Sequence, residues 1–216
     1  TGSANADVIF DGSATGAEVL VGGAGNDLLI GGAGNNAITG GDGTDTVYIY
    51  ANPTFSHAGG LLTVTTALTG TDTLSGVERL IQLDPTNPNP LTNQVQAYVL
   101  IDGQTGANIA AKLDAAIAMA SNSDILVAGG SLQLTLAQAQ ALHNAAPNAT
   151  FFSTDNVQVV GASASALTDA ILVGLRSMGV DSITVVGTDA DVKAFAQLVN
   201  ANNALGTPQP LSLIHI

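Results

Sequence analysis

Oxygen-bearing side chains recur at a fixed interval in the first quarter of the chain. Residues 22–30 read Gly-Gly-Ala-Gly-Asn-Asp-Leu-Leu-Ile, residues 31–39 Gly-Gly-Ala-Gly-Asn-Asn-Ala-Ile-Thr, and residues 40–48 Gly-Gly-Asp-Gly-Thr-Asp-Thr-Val-Tyr. These three nonapeptides follow one another with no residue between them, and their position 6 is Asp27, Asn36 and Asp45. A side-chain carboxylate at that position is a hard oxygen ligand, suited to a hard cation. Positions 1, 2 and 4 are glycine, which permits the positive-φ turn that other residues resist. Two upstream segments keep the register in decayed form. Residues 13–21 place Gly16 at position 4, Glu18 at position 6 and Leu20 at position 8; residues 2–10, offset by two inserted residues, place Asp7 and Ile9 at positions 6 and 8.

Other arrangements that could do chemistry are hard to find. The three histidines are His57, beside Gly59-Gly60, His143, on the last turn of an expected helix, and His215. Surface or capping roles suit them, since a helix C-terminus favours a cation. No His-x-x-x-His or His-Glu-x-x-His spacing occurs, no Gly-x-Ser-x-Gly elbow, and Gly129-Gly130 continues as Ser-Leu-Gln-Leu without a phosphate-binding glycine pattern. Asp189 and Asp191 open an expected helix, where carboxylates stabilise the positive dipole end. Asp155 and Asp181 read as loop residues, and Glu78 with Arg79 as an ion pair or an edge device. The chain is expected to be no enzyme, with no catalytic residue and no organic cofactor.

The elements that must position the repeated oxygens follow from the apolar pattern. Position 8 of each unit (Ile9, Leu20, Leu29, Ile38, Val47) is apolar and is expected to point inward from a very short strand. One such unit buries almost nothing, so several must stack before a core exists. Further strand-like segments are 47–50, 61–65 and 72–80.

Composition narrows the partners. Of 216 residues, 46% are apolar and only 10% charged, with four Lys+Arg against 17 Asp+Glu and a formal net charge of −13. That balance excludes a phosphate-tracking nucleic-acid binder and argues against anionic lipid, while favouring cations. There is no cysteine, so neither disulfides nor thiolate zinc can staple the fold, and metal ions are an alternative staple. No apolar run approaches the ~20 residues of a membrane span. The chain begins at Thr1, and residues 211–216 (Leu-Ser-Leu-Ile-His-Ile) match the translation of a sequencing-library adapter. They are expected to be an assembly artefact at the end of a partial chain.

The nonapeptide array resembles the RTX, or hemolysin-type, calcium-binding repeat. The resemblance covers about residues 1–83, and residues 72–78 (Asp-Thr-Leu-Ser-Gly-Val-Glu) resemble a motif that often closes such arrays. It implies a parallel β-roll in which two nonapeptides make one turn and calcium (Ca2+) sits between successive loops. Asp27 and Asp45, 18 residues apart, would then face one calcium, with carbonyls from loops holding Gly23, Gly25, Gly41 and Gly43. Glu18 and Asn36 would form the weaker pair on the opposite side. The resemblance also implies type I secretion from a Gram-negative bacterium and folding outside the cell, where calcium is plentiful.

After a proline-rich segment at 84–92, expected to be a linker, the grammar changes. Strand–glycine junctions end at Gly103, Gly129, Gly161 and Gly187, each followed by an Ala/Leu-rich amphipathic run: 108–120, 134–145, 166–178 and 190–200. Short strands alternating with helices imply parallel βαβ units. Thr135, Ser165 and Thr188 or Asp189 are candidate N-caps. This half is similar to β/α repeat modules of large bacterial adhesins and surface-layer-type proteins. The expected fold is therefore mixed: a β-roll over 1–83, the linker at 84–92, an α/β domain over 93–205 and a tail over 206–216. The expected function is a calcium-binding structural segment of a large secreted surface or extracellular protein, with cell-surface or matrix components as candidate partners. The alternative is the C-terminal region of a secreted hydrolase or toxin whose catalytic domain lies outside this sequence.

Overall fold

A computed structural model describes residues 1–12, 16–50, 52–84, 86, 94–101, 124–203 and 212–215. The helix expected at 108–120 and most of the proline-rich segment lie outside the described residues. The molecule is mixed α/β, mostly strands, with three helices among the described residues. It divides into two compact units, Thr1–Asp102 with Leu126–Gly130, and Gly103–Ile125 with Ser131–Ile216.

In the first unit, consecutive repeats alternate between two sheets. Strands β1 (Val8–Phe10), β3 (Leu28–Ile30), β5 (Thr46–Tyr50) and β9 (Arg79–Leu83) lie side by side in parallel. So do β2 (Val19–Ala24), β4 (Ala37–Asp42) and β8 (Gly70–Ser75) in the other sheet. Register follows the repeat: Leu20 pairs with Ile38 and Leu29 with Val47, one step of two nonapeptides. These four side chains are buried, as expected of position 8. Ile9, covered by only one neighbouring layer, is half-buried.

Antiparallel strands finish both ladders. Beside β8 run β7 (Leu61–Thr66) and β6 (Thr54–Ala58), joined by a turn at Gly59 and Gly60 with φ of 61° and 80°. His57, expected in a loop, is therefore a strand residue, and its Nε2 lies 2.8 Å from the Val127 carbonyl oxygen. Beside β9 runs β10 (Gln94–Ile101), in antiparallel pairing, followed in the sheet by β11 (Asp124–Val127), whose Leu126 and Val127 belong to this unit. The first unit consequently reaches Asp102, past the proline-rich segment, because ladder hydrogen bonds and the buried Tyr98, Val99, Leu100 and Ile101 hold β10 to it.

The second unit is a parallel sheet of β12 (Ser131–Leu134), β13 (Asn156–Ser163), β14 (Ser182–Val186) and β15 (Ser212–His215). Helices α1 (Leu136–Ala145), α2 (Asp169–Ser177) and α3 (Asp189–Asn203) connect successive strands. Residues 212–215, read from sequence as an artefact, thus form a strand paired with β14. Thr135 caps α1 in a reciprocal box with Gln138. Thr168 caps α2 in place of Ser165, which sits in the short 3-10 turn Ala164–Ala166. At α3, Thr188 Oγ1 donates to Asp191 Oδ2 at 2.6 Å. The core is aliphatic: Leu132, Leu134, Val157, Val159, Ile183 and Val185 from strands, Leu142, Leu172, Leu175 and Val199 from helices. Each such burial contributes about 1.5–3 kcal/mol.

Candidate metal centre

The glycine loops of successive layers lie directly upon one another. Gly23, Gly25, Gly41 and Gly43 have φ of 118°, 113°, 122° and 138°. A Cβ on Gly41 would overlap the Gly23 carbonyl oxygen, and one on Gly43 the Gly25 carbonyl oxygen. Only glycine meets both the dihedral and the close approach. Amide side chains tie the layers: Thr44 N–H donates to Asn26 Oδ1 and Thr71 N–H to Asn35 Oδ1, both at 2.9 Å.

Position 6 builds two internal rows of side chains. In the first, Asp7 N–H donates to Asp27 Oδ1, Asp27 N–H to Asp45 Oδ1, and Asp45 N–H to Glu78 Oε2, each at 2.8 Å. In the second, Glu18 N–H donates to Asn36 Oδ1 at 3.0 Å, and Asn36 N–H to Asp72 Oδ1 at 2.9 Å. The structure thus brings Asp27 to Asp45 and Glu18 to Asn36. It adds Asp72 and Glu78, whose part the sequence reading missed. Their segment reads as a closing motif, but the five residues between them conceal that each continues a row of period 18.

The rows differ in what is left over. Asp27 and Asp45 are 2% and 0% exposed, and the second oxygen of each carboxylate is buried without a hydrogen-bond partner. On the other row Glu18 Oε2 is likewise buried without a hydrogen-bond partner, but Asn36 spends its amide differently: Nδ2 donates to the Gly31 carbonyl oxygen at 2.8 Å. Burial pushes the Asp45 carboxyl above the usual aspartate range, opposed by the hydrogen bond from Asp27 N–H and reinforced by the Asp27 and Asp42 charges. Burial also raises Asp72, against its hydrogen bonds with Asn36. At the open end, Asp7 is lowered by hydrogen bonds from the Ser3 backbone and hydroxyl.

A repeated oxygen pair accompanies the orphaned atoms. The point where a Cβ would stand on Gly22 lies within 2.5 Å of both Asp27 Oδ2 and the Gly40 carbonyl oxygen. On Gly40 the same point lies within 2.5 Å of Asp45 Oδ2 and the Gly76 carbonyl oxygen. Among the described residues no three His, Asp or Glu side chains gather as a metal cluster, so backbone carbonyls must complete any donor set. Carboxylates mixed with carbonyls are the ligands of calcium rather than of a transition metal. The residues present fit that ion.

Residues 13–47 match the family model of the RTX calcium-binding nonapeptide repeat, in four copies. This segment is an RTX repeat array. The match takes in the decayed segment at 13–21 and stops short of Asp72 and Glu78. No curated protein matches the chain. Among the described residues, no helix is long and apolar enough to cross a membrane.

Proposed function

We propose that the chain is a calcium-binding structural segment of a large bacterial surface or extracellular protein, exported by type I secretion and folded by calcium outside the cell. One observation carries this reading: inside an RTX array, Asp27 and Asp45 are buried with a carboxylate oxygen each that nothing else satisfies. Holding such charges out of water costs several kcal/mol per ion unless a counter-charge compensates. Calcium supplies that charge, so metal binding becomes folding free energy. The two parallel ladders are then the β-roll, closed by their antiparallel strands. RTX repeats typically occur in secreted proteins, and a lack of cysteine suits a chain that passes no oxidising compartment. The second unit has no recognisable catalytic motif, and its aliphatic βα architecture serves as a metal-independent module of an adhesin or surface-layer type. Circular dichroism of the chain in chelator and then in millimolar calcium tests the proposal. The β signal is expected to rise with calcium; a spectrum unchanged by either would sink the reading.

A further inference from the structure

We propose that the closing segment, which lies outside the RTX match, completes a further calcium position built from Asp45, the Gly76 carbonyl and Glu78. The inference rests on the calcium reading above and extends it beyond the nonapeptides. Glu78 stands to Asp45 as Asp45 stands to Asp27: in each case the later carboxylate accepts the earlier residue's N–H at 2.8 Å. The backbone repeats the relation, since Arg79 N–H donates to the Asp45 carbonyl as Thr46 N–H does to that of Asp27. Gly76 takes the place that Gly40 holds one layer earlier. Its carbonyl accepts Gly41 N–H at 3.1 Å and presses against Gly40.

The independent pointer to a ligand is Asp45 itself. It is fully buried, and its Oδ2 has no hydrogen-bond partner. Asp45 Oδ2 and the Gly76 carbonyl oxygen both lie within 2.5 Å of one point beside Gly40. They are therefore within about 5 Å of each other, the reach of two calcium–oxygen bonds of about 2.3–2.6 Å. Glu78 brings a second carboxylate to the next rung and so supplies the charge that an array ending at Asp45 would lack. The opposite row ends differently. Asp72 also accepts an N–H from the layer before, but that layer holds Asn36, whose amide is committed to Gly31. Asp72 thus ends its row without completing a site.

Calorimetric titration of the full chain with calcium chloride, comparing wild type with Glu78→Gln and Asp72→Asn, tests the assignment. Glutamine keeps an oxygen for Asp45 N–H but removes the charge, so a purely structural role survives the change. Glu78→Gln is expected to bind one calcium fewer, or to weaken one step at least tenfold, with the remaining steps intact; Asp72→Asn is expected to keep the wild-type number. Unchanged binding in Glu78→Gln overturns the site while leaving the proposed function standing. Equal losses in both variants also overturn it, because they mark a general loss of the cap. No binding by the wild type overturns both readings.

Discussion

Asp27 and Asn36 occupy the same position of successive repeats, on opposite rows of one unit, and both are 2% exposed. Each accepts an N–H from the layer before through its Oδ1. They part at the second terminal atom. In Asp27 it is an oxygen with no partner; in Asn36 it is an NH2 that donates to Gly31. At this position the first row is thus left with an orphaned oxygen, whereas Asn36 is satisfied by its own amide and the orphaned oxygen of its row is Glu18 Oε2. The second unit is built differently, its described core being mainly aliphatic strand and helix side chains. Stacked layers by themselves leave no orphaned oxygen; the atom at the end of one side chain does.

The largest expected effect follows from the difference between units. In chelator and in calcium, thermal unfolding should show two transitions, with only that of the first unit moving. At calcium 100 times the dissociation constant, a single site adds about 2.7 kcal/mol. A second-unit transition that moved equally would erase the contrast.

Within the first unit, Asp27→Ala and Asp45→Ala should each abolish most calcium affinity at the position they share, at least tenfold by calorimetry. At that shared position the double variant should lose little more than either single one, because residues acting on one ion are not additive. Independent, additive losses would break the pairing of Asp27 with Asp45.

Asn36→Asp sharpens the comparison from the other side. It removes the donor to Gly31, which should cost about 1 kcal/mol of stability in chelator, and leaves an oxygen in its place. Calcium titration should then gain a binding step. A variant that loses stability without gaining calcium would show that the second row lacks the remaining ligands.

The smallest effect is a pH dependence. Burial raises Asp45 and Asp72 in the metal-free fold, so that fold takes up protons more readily than the unfolded chain. Their contribution in chelator is therefore fullest below the ordinary aspartate value and is lost as pH rises through their raised values. Melting of the first unit in chelator should fall as pH climbs from that range towards neutrality, and calcium should reverse the slope because it requires the charged form.

Much of this was legible because one period carried it. Position 6 named Asp27, Asn36 and Asp45, and position 8 named the buried residues, since both follow a fixed nine-residue register. Asp72 and Glu78 were not legible, because their partners Asn36 and Asp45 lie 36 and 33 residues away and their mutual spacing breaks the period. Strand β6 was hidden by its polar Ser56 and His57 beside two glycines that suggested a loop. In the second unit, Leu132 and Leu134 alternate as a strand but run straight into a helical pattern at Leu136, so β12 merged with α1. Ser165 and Thr168 both offered a hydroxyl ahead of the same helix, and the 3-10 turn decided between them.

The stacking of repeats by alternate sheets has a consequence for inheritance. The closing segment touches only the last rung of each row, Asn36 through Asp72 and Asp45 through Glu78. Duplicating a pair of repeats adds one rung to both rows and presents the cap with the surface it already recognises. Duplicating a single repeat leaves the cap on the last two repeats but shifts every earlier repeat to the opposite row, so that Asp27-type and Asn36-type residues no longer keep to separate rows. Arrays ending in this cap should therefore vary in length between related genes by pairs of repeats, with odd numbers selected against.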